Sequence, residues 1–355
     1  MKVLHLPYNI ASKIFITVSS LCRIGLEAKG IAVNNYLDET GEGISVFNTK
    51  DYSYINPKKY FEYFRSSREI KEMILWADVV HWYYDYKIFG SEKFLNYLKR
   101  FKKPAVVEFL GSDVRIPEIL FQKNSYYKKT FFSDYSYKFE SLQYSLLTQK
   151  KFKDAGFEPL VRPELEQFIQ KDIFPSYYKV NNRIDVKKYS PSYPSVENQK
   201  PLIVHPVSDR NAKGTSCIAE AVSRLKQYHN FDFLIIENTE HAQVIEQLSK
   251  ADIVIDQLIL GAFGTISLEG MALGKPTVCY LTTDLENKLP GMPLVNASPD
   301  TILSVLEKLL TNPLMRNEVG KNSRQYAEEN HDSDKIALLL KNIYEEILKK
   351  KSSEK

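Results

Sequence analysis

The sequence predicts an α/β protein of two domains, each a parallel sheet covered by helices on both faces. Three observations predict it. A chain of 355 residues suits about two domains at roughly 150 residues each. In both halves, short apolar runs alternate with stretches of helical spacing, the pattern of parallel sheets whose crossovers are helices. The stretch DVKKYSPSYPSVENQKP (185–201) is rich in Pro and Ser and has no periodicity, so it reads as a boundary. The domains are therefore expected at 1–190 and 191–332, with a terminal helix at 333–355.

In the first half, KVLHLP (2–7) reads as a strand and 11–30 as a helix stopped by Gly30, with Ile14, Val18, Leu21 and Ile24 near helical spacing. IAVNNY (31–36), ADVVHWYY (77–84), PAVVEFL (104–110) and SLLTQ (145–149) read as strands, and 57–76 and 91–102 as helices. The aromatic, basic stretch 120–140 has no clear period. In the second half, 201–206, 231–237, 251–256 and 276–281 read as strands. Helices are expected at 214–228, 239–250 and 264–273, with two more within 299–330. A last helix near 333–350 carries Ile336, Leu339, Leu340, Ile343, Tyr344 and Ile347 on one face and needs a partner surface.

Composition narrows the function class. Cys22, Cys217 and Cys279 are scattered and odd in number, which argues against a disulfide framework or a zinc site. No signal peptide and no run of about 18 apolar residues is seen, so no transmembrane helix is expected. The first 195 residues hold 30 Lys+Arg against 22 Asp+Glu, and 19 of the 23 Tyr. The two halves should therefore meet different partners. The charge excess is too modest, and the motifs too few, for nucleic-acid binding.

The residues that carry chemistry cluster after strands, where ligands of parallel sheets bind. In GAFGTISLEGMALGKP (261–276), a strand ending at Asp256 leads through a glycine loop into a helix starting near Gly264. Free amides at such a helix start suit a phosphate, and Glu269, over a turn later, suits ribose hydroxyls. The plainer alternative is a helix packed on a sheet with an exposed Glu. In VHPVSDRNAKGT (204–215), Arg210 and Lys213 are two cations in a loop before a helix. They can neutralise a diphosphate or can be surface charges. Asp113 and Arg115 in GSDVR follow a strand and can pair to fix their loop. His81 is placed at a strand end facing the ligand, although a lone His is more often structural.

These motifs resemble those of the family 4 glycosyltransferases, retaining enzymes of the GT-B fold. Glu269 to Pro276 matches the family's E-[AG]-M-A-x-G-x-P helix, Lys213 its basic position ending in K-G, and Gly111 to Arg115 its G-S-D-[VI]-R run. The resemblance covers most of 200–350 and patches at 1–32, 77–83 and 104–116. It implies two Rossmann-like domains whose parallel sheets face a central cleft, with the C-terminal helix crossing back to the first domain. It also implies transfer of a sugar, with retention, from a UDP- or GDP-sugar to a glycan or lipid-linked saccharide.

The resemblance makes Arg210 and Lys213 the catalytic cations. Ser208, Gly264, Thr265, Glu269 and Asn238 are the donor-side residues, and Tyr8, Asn9, His81 and Asp113 the acceptor-side ones. No metal or other cofactor is expected, because side chains and a helix start neutralise the leaving group. Three features depart from the family: PYNIAS (7–12) stands where a Gly-Gly turn is usual, Gly261 where a second Glu is usual, and Leu110 where a His is usual. These departures leave open an epimerase on the same scaffold, or a non-catalytic nucleotide-binding protein. A cytoplasmic protein is expected, one that meets the inner face of a membrane through the basic, Tyr-rich first domain, with 94–103 or 124–138 as contacts.

Overall fold

A computed structural model describes residues 1–33, 43–47, 57–133 and 135–353. The strands are β1 (Lys2–Pro7), β2 (Glu27–Val33), β3 (Ile44–Phe47), β4 (Val79–Tyr83), β5 (Ala105–Glu108), β6 (Phe157–Val161), β7 (Tyr178–Lys179), β8 (Leu202–Val207), β9 (Asp232–Glu237), β10 (Ile253–Ile255), β11 (Thr277–Cys279) and β12 (Val295–Asn296). The helices are α1 (Lys13–Arg23), α2 (Pro57–Trp76), α3 (Lys93–Arg100), α4 (Pro117–Phe121), α5 (Ser125–Ser133), α6 (Leu142–Asp154), α7 (Arg210–Lys213), α8 (Thr215–Leu225), α9 (His241–Lys250), α10 (Thr265–Ala272), α11 (Thr283–Lys288), α12 (Ile302–Thr311), α13 (Pro313–Asn330) and α14 (Ser333–Ser353). The expected strand at 31–36 extends beyond the described residues at 34–36.

The chain forms two compact units. The first comprises Met1–Ile116, Glu140–Arg183 and Ser333–Lys355. Its sheet is parallel, in the order β3-β2-β1-β4-β5-β6-β7. Helix α14 packs on α1: Ile336, Leu340, Ile343, Tyr344 and Ile347 share a core with Ile14, Val18 and Leu21. Arg23 ties the two helices through Asp334 at 2.6 Å. Leu339, expected on the inner face, is 39% exposed.

Two elements of this unit differ from the sequence reading. The first helix ends at Arg23, because Gly25 turns the chain at φ +86, a conformation glycine adopts without strain. Gly30 is therefore not a stop but lies inside β2, where an added Cβ would come within 2.7 Å of Ile14. The stretch 145–149 is helical, within α6. Its N-cap Ser141 accepts from the Tyr144 amide, and its buried face is Ser145, Thr148, Gln149 and Phe152. That spacing is helical, but three of the four residues are polar, so hydrophobic periodicity does not reveal it.

The second unit comprises Pro117–Phe139 and Ile184–Asp332. Its parallel sheet has the order β12-β11-β10-β8-β9. The segment 117–139, placed by the sequence reading in the first domain, packs here. The Asn124 amide donates to the Ile259 carbonyl at 2.8 Å, Lys123 pairs with Asp284, and Tyr126 meets Tyr280 edge-on while bonding Asp300.

Residues 185–201, expected as a linker, are a strap on this unit. Arg324 holds the Tyr189 carbonyl, Lys275 that of Ser192, Asn317 that of Pro194 and Arg316 that of Asn198. Lys275 and Arg316 are buried to do so. The backbone of the strap thus finds its partners in side chains far along the chain, which composition does not disclose.

Candidate functional site

In the second sheet, β8 leads outward to β9 on one side, while β10 lies on its other side. The strand order reverses between β8 and β10. Crevices outside the carboxyl ends of strands at such a reversal are the usual ligand sites of open α/β sheets. The segments that follow these two strands carry Lys213 and the start of α10.

Asp256, just past β10, organises this place. It is fully buried. One oxygen pairs with the Lys213 ammonium. The other accepts the Gly264 amide at 2.9 Å and the Ser267 hydroxyl at 2.6 Å. Burial opposes its ionisation, but Lys213 and the two hydrogen-bond donors outweigh burial and hold its pKa below the ordinary value. Below it, His205 is buried with Nδ1 against the Ile255 carbonyl and Nε2 against the Thr215 hydroxyl. Burial pushes its pKa down to about 4. A neutral ring satisfies both contacts: Nδ1–H donates, and Nε2 accepts.

Of the expected site residues, the catalytic cation Lys213 and the donor-side Gly264 are thus brought together, but through Asp256. The Gly264 amide is engaged with this carboxylate. The amides of Thr265, Ile266 and Ser267 begin α10, and no earlier turn supplies them with acceptors. No side chain caps the helix, so its start is positive and open to an anion. Glu269, expected as exposed or ribose-facing, is buried. Its Oε1 accepts from His241 at 2.6 Å and Tyr189 at 3.4 Å, while its buried Oε2 has no partner.

Arg210 points elsewhere: it is mostly exposed and pairs with Glu237 at 2.6 Å. Ser208 is exposed past β8, and Asn238 is exposed past β9 with φ +50. Gly261 has φ +73, and an added Cβ would lie 2.6 Å from Thr282 Cγ2 and 2.9 Å from Asn124 Nδ2. The loop is therefore built around this glycine. Gly261→Glu, which restores the carboxylate usual in the resembling family, is expected to destabilise the second unit by about 1–3 kcal/mol. Urea denaturation checks this, and an unchanged midpoint would contradict it.

In the first unit, the order reverses between β1 and β4. Tyr8, past β1, stacks on Tyr86 with centroids 4.9 Å apart and lies 5.4 Å from Tyr84. The Tyr84 hydroxyl meets that of Ser112 at 3.1 Å. Asn9 instead accepts the Ile14 amide at 2.9 Å. Asp113 is buried and accepts the Leu110 and Gly111 amides, and burial raises its pKa to about 6. It does not pair with Arg115, which binds Glu140.

His81 does not face a ligand. It is wholly buried within β4, with Nδ1 2.7 Å from the Tyr344 hydroxyl. Its Nε2 lies 3.2 Å from a carboxylate oxygen of Glu108. Strands on both sides and α14 above enclose it, which its position in the sequence does not disclose.

Burial holds the pKa of His81 down to about 4 and that of His5 well below its ordinary value. Unfolded histidines take a proton near 6.5. Between these values the unfolded chain binds more protons, so stability falls as pH drops from about 6.5 toward 4. Asp113 opposes this between 3.8 and about 6, but three buried imidazoles outweigh one carboxyl. The denaturation midpoint is therefore expected to fall between about pH 7 and pH 5, and a flat profile would contradict it.

Among the described residues, no group of three or more His, Cys, Asp or Glu is placed to hold a metal ion. No helix among them is long and apolar enough to cross a membrane. The sequence reading missed His241, Tyr189 and Ser267. His241 and Tyr189 lie outside every motif, Ser267 lies within 261–276 but on no position the motif singles out, and each reaches its partner only through the fold.

No protein-family model and no curated protein sequence matches this chain. Solved structures do. A sucrose-phosphate synthase from Thermosynechococcus elongatus superposes with TM-score 0.67 at 12% identity, covering 98% of each chain. HepE from Anabaena, solved in complex with UDP-glucose, gives 0.58 at 14% identity, covering 99% of this chain and 100% of that one. WaaG, a glycosyltransferase involved in lipopolysaccharide biosynthesis, gives 0.56 at 15% identity, covering 97% and 99%. The chain has the fold of the GT-B glycosyltransferases.

Proposed function

We propose that this chain is a glycosyltransferase that takes its sugar from a nucleoside-diphosphate sugar bound to the second unit. One arrangement carries the reading. At the reversal of the second sheet lie a buried cation, an uncapped helix start and a buried carboxylate with one unsatisfied oxygen. The amides of Thr265 to Ser267 and the Lys213 ammonium receive the diphosphate, and Glu269 receives the ribose. The bond between the anomeric carbon and the donor phosphate oxygen breaks. The acceptor hydroxyl oxygen takes the anomeric carbon with retention, and its proton passes to a donor phosphate oxygen. The nucleoside diphosphate leaves, its charge held by Lys213 and the helix start without a metal. The acceptor, a glycan or lipid-linked saccharide, meets the first unit near Tyr8. The location is cytoplasmic, against an anionic membrane face.

A panel of UDP-, GDP- and ADP-sugars read by thermal shift tests the donor site, since a ligand bound at 100 times its Kd adds about 2.7 kcal/mol. One nucleotide class should raise the melting temperature. No response to any would sink the reading. Unchanged turnover in a metal chelator and loss of vesicle binding at high salt test the metal-independent and membrane parts.

One observation favours a second reading, a nucleotide-binding protein without transfer. Lys213 and Arg210 both already carry carboxylate partners. A donor that binds but is never consumed with any acceptor would support it.

A further inference from the structure

The two oxygens of Glu269 are in unlike states. Oε1 holds the Nε2 of His241 at 2.6 Å, with the Tyr189 hydroxyl at 3.4 Å. Oε2 is buried, and no donor among the described residues reaches it. A buried acceptor without a donor is destabilising, and more so when it is charged. Such atoms are scarce in folded proteins and call for an explanation. A ligand hydroxyl donating to Oε2 supplies one.

His241 begins α9 and reaches across to α10, while Tyr189 comes from the strap. Contact with a carboxylate at 2.6 Å requires the proton on Nε2, so the imidazole is the donor. Its side chain is 42% exposed, so it fills no core space. What it contributes is direction: with Oε1 held, the carboxylate plane is fixed and Oε2 points one way.

We infer that His241 is a positioning residue for the proposed donor site: by holding Oε1 it aims Oε2 at the ribose diol and makes the site select ribonucleotides over deoxyribonucleotides. The inference rests on the ribose role of Glu269. Unheld, the carboxylate would turn and spread its acceptor strength over several orientations, and the advantage of a ribose hydroxyl would shrink.

The test is calorimetric binding of UDP, GDP and ADP and of their 2′,3′-dideoxy counterparts to the full chain. Whichever base binds, removal of the hydroxyls should weaken wild type about 10- to 100-fold, the value of a hydrogen bond to a charged group. His241→Ala should reduce that ratio to about 3-fold or less by weakening the ribonucleotide alone. His241→Gln, which keeps an N–H donor at similar reach, should restore it. Glu269→Ala, which removes the acceptor, should abolish the ratio. Equal weakening of both forms by His241→Ala, as lost packing would give, overturns the inference. So does a ratio that His241→Ala leaves intact, or a wild type that does not discriminate. If wild type binds no nucleoside diphosphate at all, the donor reading itself has failed.

Discussion

Glu108→Ala is expected to destabilise the first unit by about 3–5 kcal/mol, the loss that follows when a buried ion pair is broken from one side. Glu108 closes β5 and is wholly buried. Its Oε2 accepts from Arg183 at 2.9 Å and its Oε1 at 3.2 Å, a two-pronged pairing. The same guanidinium donates to Thr17 at 2.6 Å and Tyr83 at 3.0 Å. Lys13 lies 3.8 Å from Oε1 and bonds Asn182. Burial alone would raise the pKa of Glu108, but Arg183, then His81 and Lys13, hold it well below the ordinary value. The alanine variant leaves a guanidinium without its anion in a dry core. Lys13 adds less to the loss, because burial already lowers its pKa to about 7 and it can shed its proton.

The paired variant Glu108→Met with Arg183→Met should therefore cost less than Glu108→Ala alone, since no charge is stranded. Chemical denaturation of the three proteins, followed by a probe in the first unit, decides it. If the double variant is the less stable, the network is a source of net stability and the desolvation argument fails.

Lys213→Ala is expected to lower transfer, or nucleotide release, by about 10²–10³-fold, as loss of one preorganised stabilising group does. Lys213 closes α7 with its residue buried, and Gly214 then turns the chain at φ +74 into α8. The ammonium is fixed against Asp256 and needs no reorganisation to face developing charge. The variant also strands Asp256 with only the Gly264 amide and the Ser267 hydroxyl as donors, so it should melt earlier. Asp256→Asn separates the two effects. It keeps the shape while freeing the ammonium, and it should spare turnover more than Lys213→Ala does. Wild-type rates in Lys213→Ala would remove Lys213 from the diphosphate site.

Strand and helix alternation was open to reading because it depends on local periods. So were the strand–loop–helix stretches that carry Lys213, Gly264 and Glu269, since each lies within a few residues of the element that positions it. The limits of that reading are equally specific. Helix α6 hides behind a polar buried face. The first helix was over-extended past Gly25, because apolar residues of β2 continue the run. His81 looks like a strand-end ligand until α14, from 263 residues away, covers it with Tyr344.

The sequence by itself determined that this is a two-unit α/β chain with parallel sheets, and which loop and helix follow the strands where the second sheet reverses. Those features follow from backbone preferences and from periods of a few residues. Only the tertiary structure decided who partners whom. It set Asp256 on Lys213 across 43 positions and His241 on Glu269 across 28. It assigned 117–139 to the second unit and made a supposed linker a strap. The reason is that a buried polar group must find a partner wherever packing brings one, and packing brings together residues that the chain keeps far apart.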